Sequence, residues 1–154
     1  MLLAKIDSLA IDTVSNDLVL ILKTEDEGAI LPIWIGNSEA IAIALALSQV
    51  TPPRPMTHDL ISNMLNGFDV KLLRIVISAL VGNTYYALLY FQKGDELVVI
   101  DARPSDSVAI ATRTKSPIFI QDDVPTISAD EDDEKRQDLE LRLRRIDPEQ
   151  IFGG

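Results

Sequence analysis

Cysteine is absent from the chain, and histidine occurs once, as His58. The first absence excludes disulfides, thiol catalysis, iron–sulfur clusters and every cysteine-based zinc site. The second excludes the H-E-x-x-H zinc motif and any multi-histidine metal centre. Positive charge is also scarce: 14 Lys and Arg stand against 24 Asp and Glu, a formal net charge of −10. A field of that sign repels phosphate backbones and anionic membranes, so a broad basic groove is excluded. The imbalance is uneven along the chain. Residues 1–120 hold 13 acids and 9 bases, whereas residues 121–154 hold 11 acids and 5 bases. A local anion site in the body is compatible with that distribution. Glycine-rich phosphate loops and nucleophile elbows are missing as well, since no Walker loop, G-x-G-x-x-G or G-x-S-x-G occurs.

Long membrane-type runs are lacking too. The longest uncharged stretch, Ile75 to Gln92, is split by Gly82-Asn83 and is rich in β-branched and aromatic residues, which predicts a buried hairpin. At the start, Lys5 and Asp7 interrupt Met1-Leu2-Leu3-Ala4 before an apolar run develops, so no cleavable leader is expected and the chain is assigned to the cytoplasm without a membrane. What is present is ample apolar material. With 47% hydrophobic residues in 154, one domain can bury a core without metals or cross-links.

Strand-type spacing covers Leu2 to Thr13, and Ser15-Asn16-Asp17 turns it into a returning strand from Leu18 to Lys23. A third apolar run spans Ala29 to Ile35, where Pro32 argues for an edge or a bulge. Four alanines and an Asn/Ser start favour a helix from Asn37 to Leu47, apolar nearly all round, to be buried centrally or laid against a second subunit. Thr51-Pro52-Pro53-Arg54-Pro55 cannot be helical. Thr57 is expected to cap a helix to Asn66 that Gly67 stops. The hairpin strands Val70 to Ala79 and Tyr85 to Phe91 lead through Lys93-Gly94-Asp95 to a strand at Glu96 to Ala102. Pro104 opens a helix to Thr114, and Pro117 to Gln121 is a last short strand. The tail reads as a surface helix with a Ser128–Glu131 capping box and i,i+4 pairs Glu131/Lys135, Asp138/Arg142 and Glu140/Arg144. Its docking stripe is Leu139, Leu143 and Ile146, and Asp147-Pro148 ends it.

The expected fold is therefore α+β: a single domain over residues 1–125, with a mostly antiparallel, bent sheet and three packed helices, followed by an acidic C-terminal helical tail at 126–154. The apolar helix and short exposed strands point to a symmetric homodimer.

Two segments stand apart from the packing pattern. Arg54-Pro55-Met56-Thr57-His58-Asp59-Leu60 and Ile100-Asp101-Ala102-Arg103-Pro104-Ser105-Asp106 each place a guanidinium, a hydroxyl and an aspartate at a helix start. Such a start offers unpaired N–H groups, and the combination suits an anion. If the two meet, carboxylates able to hold a hard divalent cation stand beside arginines able to hold a phosphate, the parts that phosphodiester hydrolysis needs. Bland readings stand beside these. Asp59 and Asp106 fit as first-turn acids complementing helix dipoles, Asp101–Arg103 as a structural ion pair, and His58 as a capping or hydrogen-bonded histidine. Tyr85, Tyr86, Tyr90 and Phe91 fit core packing better than base stacking, and Trp34 fits core or interface.

These two segments, together with Pro32-Ile33-Trp34-Ile35-Gly36 and Glu39-Ala40, resemble the bifunctional nuclease family, a small bacterial and plant domain associated with DNase and RNase activity. The family pattern implies Arg54, Thr57, His58, Asp59, Asp101, Arg103, Ser105 and Asp106 as site residues, with Glu39 as an addition. On that basis the expected activity is hydrolysis of DNA or RNA, with Mg²⁺ or Mn²⁺ held by Asp59, Asp101 and Asp106. Arg54 and Arg103, with Thr57 and Ser105, would hold the phosphate, and His58 would orient or deprotonate water. The rival is a non-catalytic homodimeric module that binds a phosphorylated small ligand or an acidic partner group, which the net charge favours.

Overall fold

The architecture is that of a computed structural model, which describes residues 1–128 and 133–153. Strands β1 (Leu2–Asp12), β2 (Leu18–Thr24) and β3 (Ile30–Ile35) form an antiparallel meander. Helices α1 (Asn37–Leu47) and α2 (Thr57–Gly67) follow, then a second meander of β4 (Val70–Val81), β5 (Thr84–Lys93) and β6 (Glu96–Ala102). Helix α3 (Pro104–Thr114) leads to the short β7 (Ile118–Ile120). This strand joins the two meanders, lying antiparallel to β1 and parallel to β4. The sheet order is β3-β2-β1-β7-β4-β5-β6, so β3 and β6 are its edges. One mostly antiparallel α+β sheet thus carries the molecule, as the alternation of short apolar runs and capped helices implied.

Local chemistry accounts for the turns that matter. Gly82 and Asn83 both adopt positive φ (55° and 66°), the pair of left-handed residues that a two-residue hairpin requires. Pro104 occupies the first turn of α3, where its missing N–H costs nothing, and Lys115 closes that helix in a left-handed conformation. Helix α2 begins with Thr57 as its first helical residue, with Met56 at the cap position in place of Thr57. Asp59 supplies the capping bond, accepting from the Met56 N–H at 2.9 Å. Gly67 lies inside the helix, and the left-handed residue after it is Asp69 (φ 56°).

The main core lies between one sheet face and helices α1 and α3. Leu20, Leu22, Leu31 and Ile43 are buried there with Ile75, Ile77, Leu89 and Ile110. Helix α1 packs inside the chain against α3, β2 and a short C-terminal helix, α5 (Glu149–Phe152). Of the two placements open to an apolar helix, burial within the chain is the one adopted. At the free edge, Leu97, Val99 and Ile100 of β6 stay exposed. No helix among the described residues is long and apolar enough to cross a membrane.

The tail departs from the continuous surface helix its charge pairs suggested. The Ser128–Glu131 capping box and the Glu131/Lys135 pair involve residue 131, outside the described residues. Helix α4 (Asp133–Arg142) stops at Arg142, and Leu143–Ile146 forms a strand, β8, antiparallel to β1. The reason is an unfilled edge. Strand β7 covers only Leu2–Ala4 along the edge of β1 that faces away from β2, and β8 pairs with Leu9–Asp12 farther along that edge. Leu143 then joins Ala10, Val19, Ile21 and Ile30 in a second, smaller core, with Leu139 packed against it.

A buried charge fixes this return. Asp12 is fully buried and accepts from Arg142 Nε at 2.8 Å, from the Trp34 indole N–H at 2.9 Å and from the Val14 N–H at 2.9 Å. The Arg142 guanidinium, opposed by burial but aided by the other donors, holds the Asp12 carboxyl well below its usual 3.8. Arg142 directs its guanidinium to Asp12 and stands over the Trp34 ring, and Arg145 pairs with Glu140. The depressed carboxyl contributes stability that is full above pH 3.8 and is lost as pH falls through the lower folded value. Asp12→Asn should lower the melting temperature at pH 7 and open residues 142–153 to limited proteolysis. The melting difference from wild type should shrink in strong acid, a pattern that parallel thermal scans across pH would check.

Candidate functional site

The two segments singled out in the sequence meet, although 48 positions separate their key residues. His58, in the first turn of α2, places Nε2 at 2.9 Å from Asp106 Oδ1 in the first turn of α3. Arg103, the residue before Pro104, donates to both oxygens of Asp106, from Nε at 2.9 Å and from a terminal nitrogen at 3.2 Å. The same guanidinium reaches Glu39 Oε1 of α1 at 2.9 Å. A charged chain, His58–Asp106–Arg103–Glu39, therefore links the starts of three helices. At Gly36 a Cβ would stand 2.5 Å from Glu39 Oε2, so a larger residue there would push the carboxylate aside.

This chain forms one side of a cavity of about 760 Å³ between α2, α3 and the β5–β6 strands. His58, Asp106, Arg103, Glu39, Thr57 and Asp101 all contribute to its wall. His58 is mostly buried (13% exposed), whereas Arg103 is 64% exposed and free to meet a ligand. Burial pushes the Asp106 carboxyl up, but hydrogen bonds from Arg103 and His58 outweigh it and hold the group below its usual 3.8. Conversely, Asp106 and then Glu39 push the Arg103 guanidinium up. Asp106 is thus an anion at neutral pH and an acceptor only.

Other expected site residues fall elsewhere. Asp59 turns away from the cavity wall, where Arg113 Nε donates to it at 2.7 Å. Burial raises the Asp59 carboxyl, and the Arg113 and Met56 hydrogen bonds bring it below 3.8 on balance. Arg54 is exposed in the loop before α2 and does not line the cavity. Ser105 is buried in the first turn of α3 and faces a separate hollow with Trp34, Gly36 and Tyr85. Asp101 does not pair with Arg103, whose partners are Asp106 and Glu39. Of the three carboxylates expected to share a divalent ion, Asp101 and Asp106 line the cavity and Asp59 does not. Among the described residues no group of three or more His, Asp and Glu side chains is placed to hold a metal. Arg113 draws Asp59 away from the cavity.

Arg113 was not among the residues the sequence singled out. At the last turn of α3 it reads locally as a cation complementing the helix dipole, and it does donate to the Ala109 carbonyl of its own helix at 2.9 Å. Its pairing with Asp59, 54 positions away, depends on how α2 lies on α3 and has no local sign. Only 9% of the Arg113 side chain is exposed, so its loss strands the Asp59 carboxylate. Arg113→Ala should cost about 1.5–3 kcal/mol in denaturant unfolding at pH 7, the range for hydrogen bonds to charged groups. That difference should narrow as pH falls below 3.8 and Asp59 takes up its proton.

The model of the bifunctional nuclease domain matches residues 20–131. A Mycobacterium tuberculosis protein named as uncharacterised is 42% identical over 120 residues, which is 78% of this chain and 71% of the relative. Bifunctional nuclease 1 of Oryza sativa subsp. indica is 34% identical over 107 residues. Bifunctional nuclease 2 of Arabidopsis thaliana is 35% identical over the same length. Both plant matches cover 66% of this chain and 32% of the plant protein.

Proposed function

Because the chain belongs to the bifunctional nuclease domain family, we propose that it hydrolyses phosphodiester bonds of DNA, RNA or both at the His58–Asp106 end of the cavity. The observation that supports this reading is the 2.9 Å contact between His58 and an ionised Asp106, beside an exposed arginine in the wall of a substrate-sized hollow.

Hydrolysis needs a base for water and a cation for the charge that builds on the phosphoryl oxygens. Since Asp106 only accepts, His58 Nε2 carries the proton in that contact and Nδ1 is left with a lone pair. A water positioned at Nδ1 gives up its proton as its oxygen bonds to phosphorus. The resulting imidazolium is balanced by Asp106, and the departing oxygen takes a proton from solvent as its bond to phosphorus breaks. Arg103 is held on two nitrogens by Asp106 and Glu39, so its remaining N–H groups are oriented without further ordering cost. Thr57 and the open N–H groups of the first turn of α2 add donors for the phosphate. Arg54 would meet phosphates farther along the strand, while Ser105 and Asp59 hold α3 and α2 in place. Dependence on Mg²⁺ or Mn²⁺ is a separate proposal, for which the cavity offers Asp101 and Asp106, and no step above runs through a metal.

Purified protein should cleave end-labelled DNA or RNA oligonucleotides. His58→Ala should lower the rate by roughly 10²–10⁴, the usual worth of a positioned base. Asp106→Asn should lower it as well, and Arg103→Ala should raise KM. Turnover unchanged in His58→Ala would refute the assignment, and binding without turnover would favour the non-catalytic module. Loss of cleavage in chelator, restored by Mg²⁺ or Mn²⁺, would support the metal.

A further inference from the structure

The cavity is far larger than a phosphate requires, and its inner wall is apolar. Beyond the charged end it is walled by Met64, Phe68, Leu89, Phe91 and Ile100. Phe68, the residue closing α2, leaves 69% of its surface in water. Met64 one turn earlier and Ile100 on β6 are exposed as well. The α2–β4 turn does not demand a phenyl ring, because Asp69 takes its left-handed position. Among the side chains lining the cavity, Arg103 is the one fixed cation, and the chain as a whole carries −10.

These features point to a ligand unit that is flat and apolar at one end and singly anionic at the other. An unstacked nucleobase with its phosphate has that form, whereas a duplex keeps its bases inside and offers a backbone that needs a cationic track. Asp101, in the same wall, is an acceptor for an amino or imino N–H on the base edge. Resting on the nuclease reading, we propose that the site takes unpaired nucleotides of single-stranded nucleic acid, with the base stacked on Phe68 and its phosphate at Arg103. Affinity then comes from stacking more than from counterion release, which reconciles nucleic-acid binding with an acidic protein.

The test is binding, which is read independently of cleavage. Fluorescence anisotropy with a short phosphorothioate single strand and a blunt hairpin of the same composition should show roughly tenfold or greater preference for the single strand. Phe68→Ala should weaken single-strand binding by roughly five- to a hundredfold, and Phe68→Trp should restore it. The dependence of log K on log salt should be shallow, with a slope of about −0.7 for the one phosphate at Arg103. A fluorescent adenine analogue in the strand should be quenched by wild type and not by Phe68→Ala. Phe68 is exposed, so circular dichroism should show both variants folded. Equal binding of the hairpin, indifference to Phe68→Ala or no binding would each overturn the proposal. So would sedimentation showing a dimer that Phe68→Ala dissociates, since a second copy would then cover the ring. Absence of cleavage with these binding results intact would sink the nuclease reading alone. Equal cleavage of duplex and single strand would sink only the proposal made here.

Discussion

Helix α2 carries His58 and Thr57, yet none of its residues is fully buried. Ile61 and Leu65 rest on the core as partly buried neighbours, which is a thin apolar footing for eleven residues. What fixes its rotation and height is the charged contact of Asp59 with Arg113, joined one residue earlier by His58 with Asp106. Adjacent positions on a helix diverge by about 100°, so two such contacts to α3 constrain α2 about its own axis as one could not. Both contacts lie in the first turn. The last turn, with Met64 and Phe68, is left to project over the β5–β6 strands and form the far wall of the cavity. The site is thus an outcome of how two charged helix starts are tied together.

The same geometry separates what the residues disclosed from what they concealed. The Gly82-Asn83 hairpin and the Pro104 helix start follow from local chemistry, permitted φ and a missing N–H, whereas the meeting of the two Arg-Pro segments depends on how α2 lies on α3. The tail did not follow. Leu143-Arg144-Arg145-Ile146 sits where i,i+4 charges favour helix, and what overrides them is the edge of β1 at Leu9–Asp12, which the short β7 does not reach. Likewise Asp59 and Asp106 look alike in sequence, each a first-turn acid in a similar motif. Their roles diverge because Arg113 faces one and His58 the other. Tertiary neighbours, not spacing, decide which carboxylate borders the cavity.

Net charge weighed against a nucleic-acid substrate while the chain was only a sequence. In the fold, much of the acid excess belongs to the tail, whose α4–β8 segment packs over β1, β2 and β3. The cavity lies at the opposite end of the sheet order, at β5 and β6. The Debye length at physiological salt is about 8 Å, so exposed acids beyond that distance are largely screened. Glu140 is further offset by Arg145, and Asp12 by Arg142. The charges that line the cavity are Glu39, Asp101 and Asp106 against Arg103, with His58 neutral as a base. Three carboxylates outnumber the one fixed cation, so the local field gives an anion little net attraction. A ligand held in such a place must draw its affinity from surface contact, and the apolar wall that ends at Phe68 is where the protein offers it.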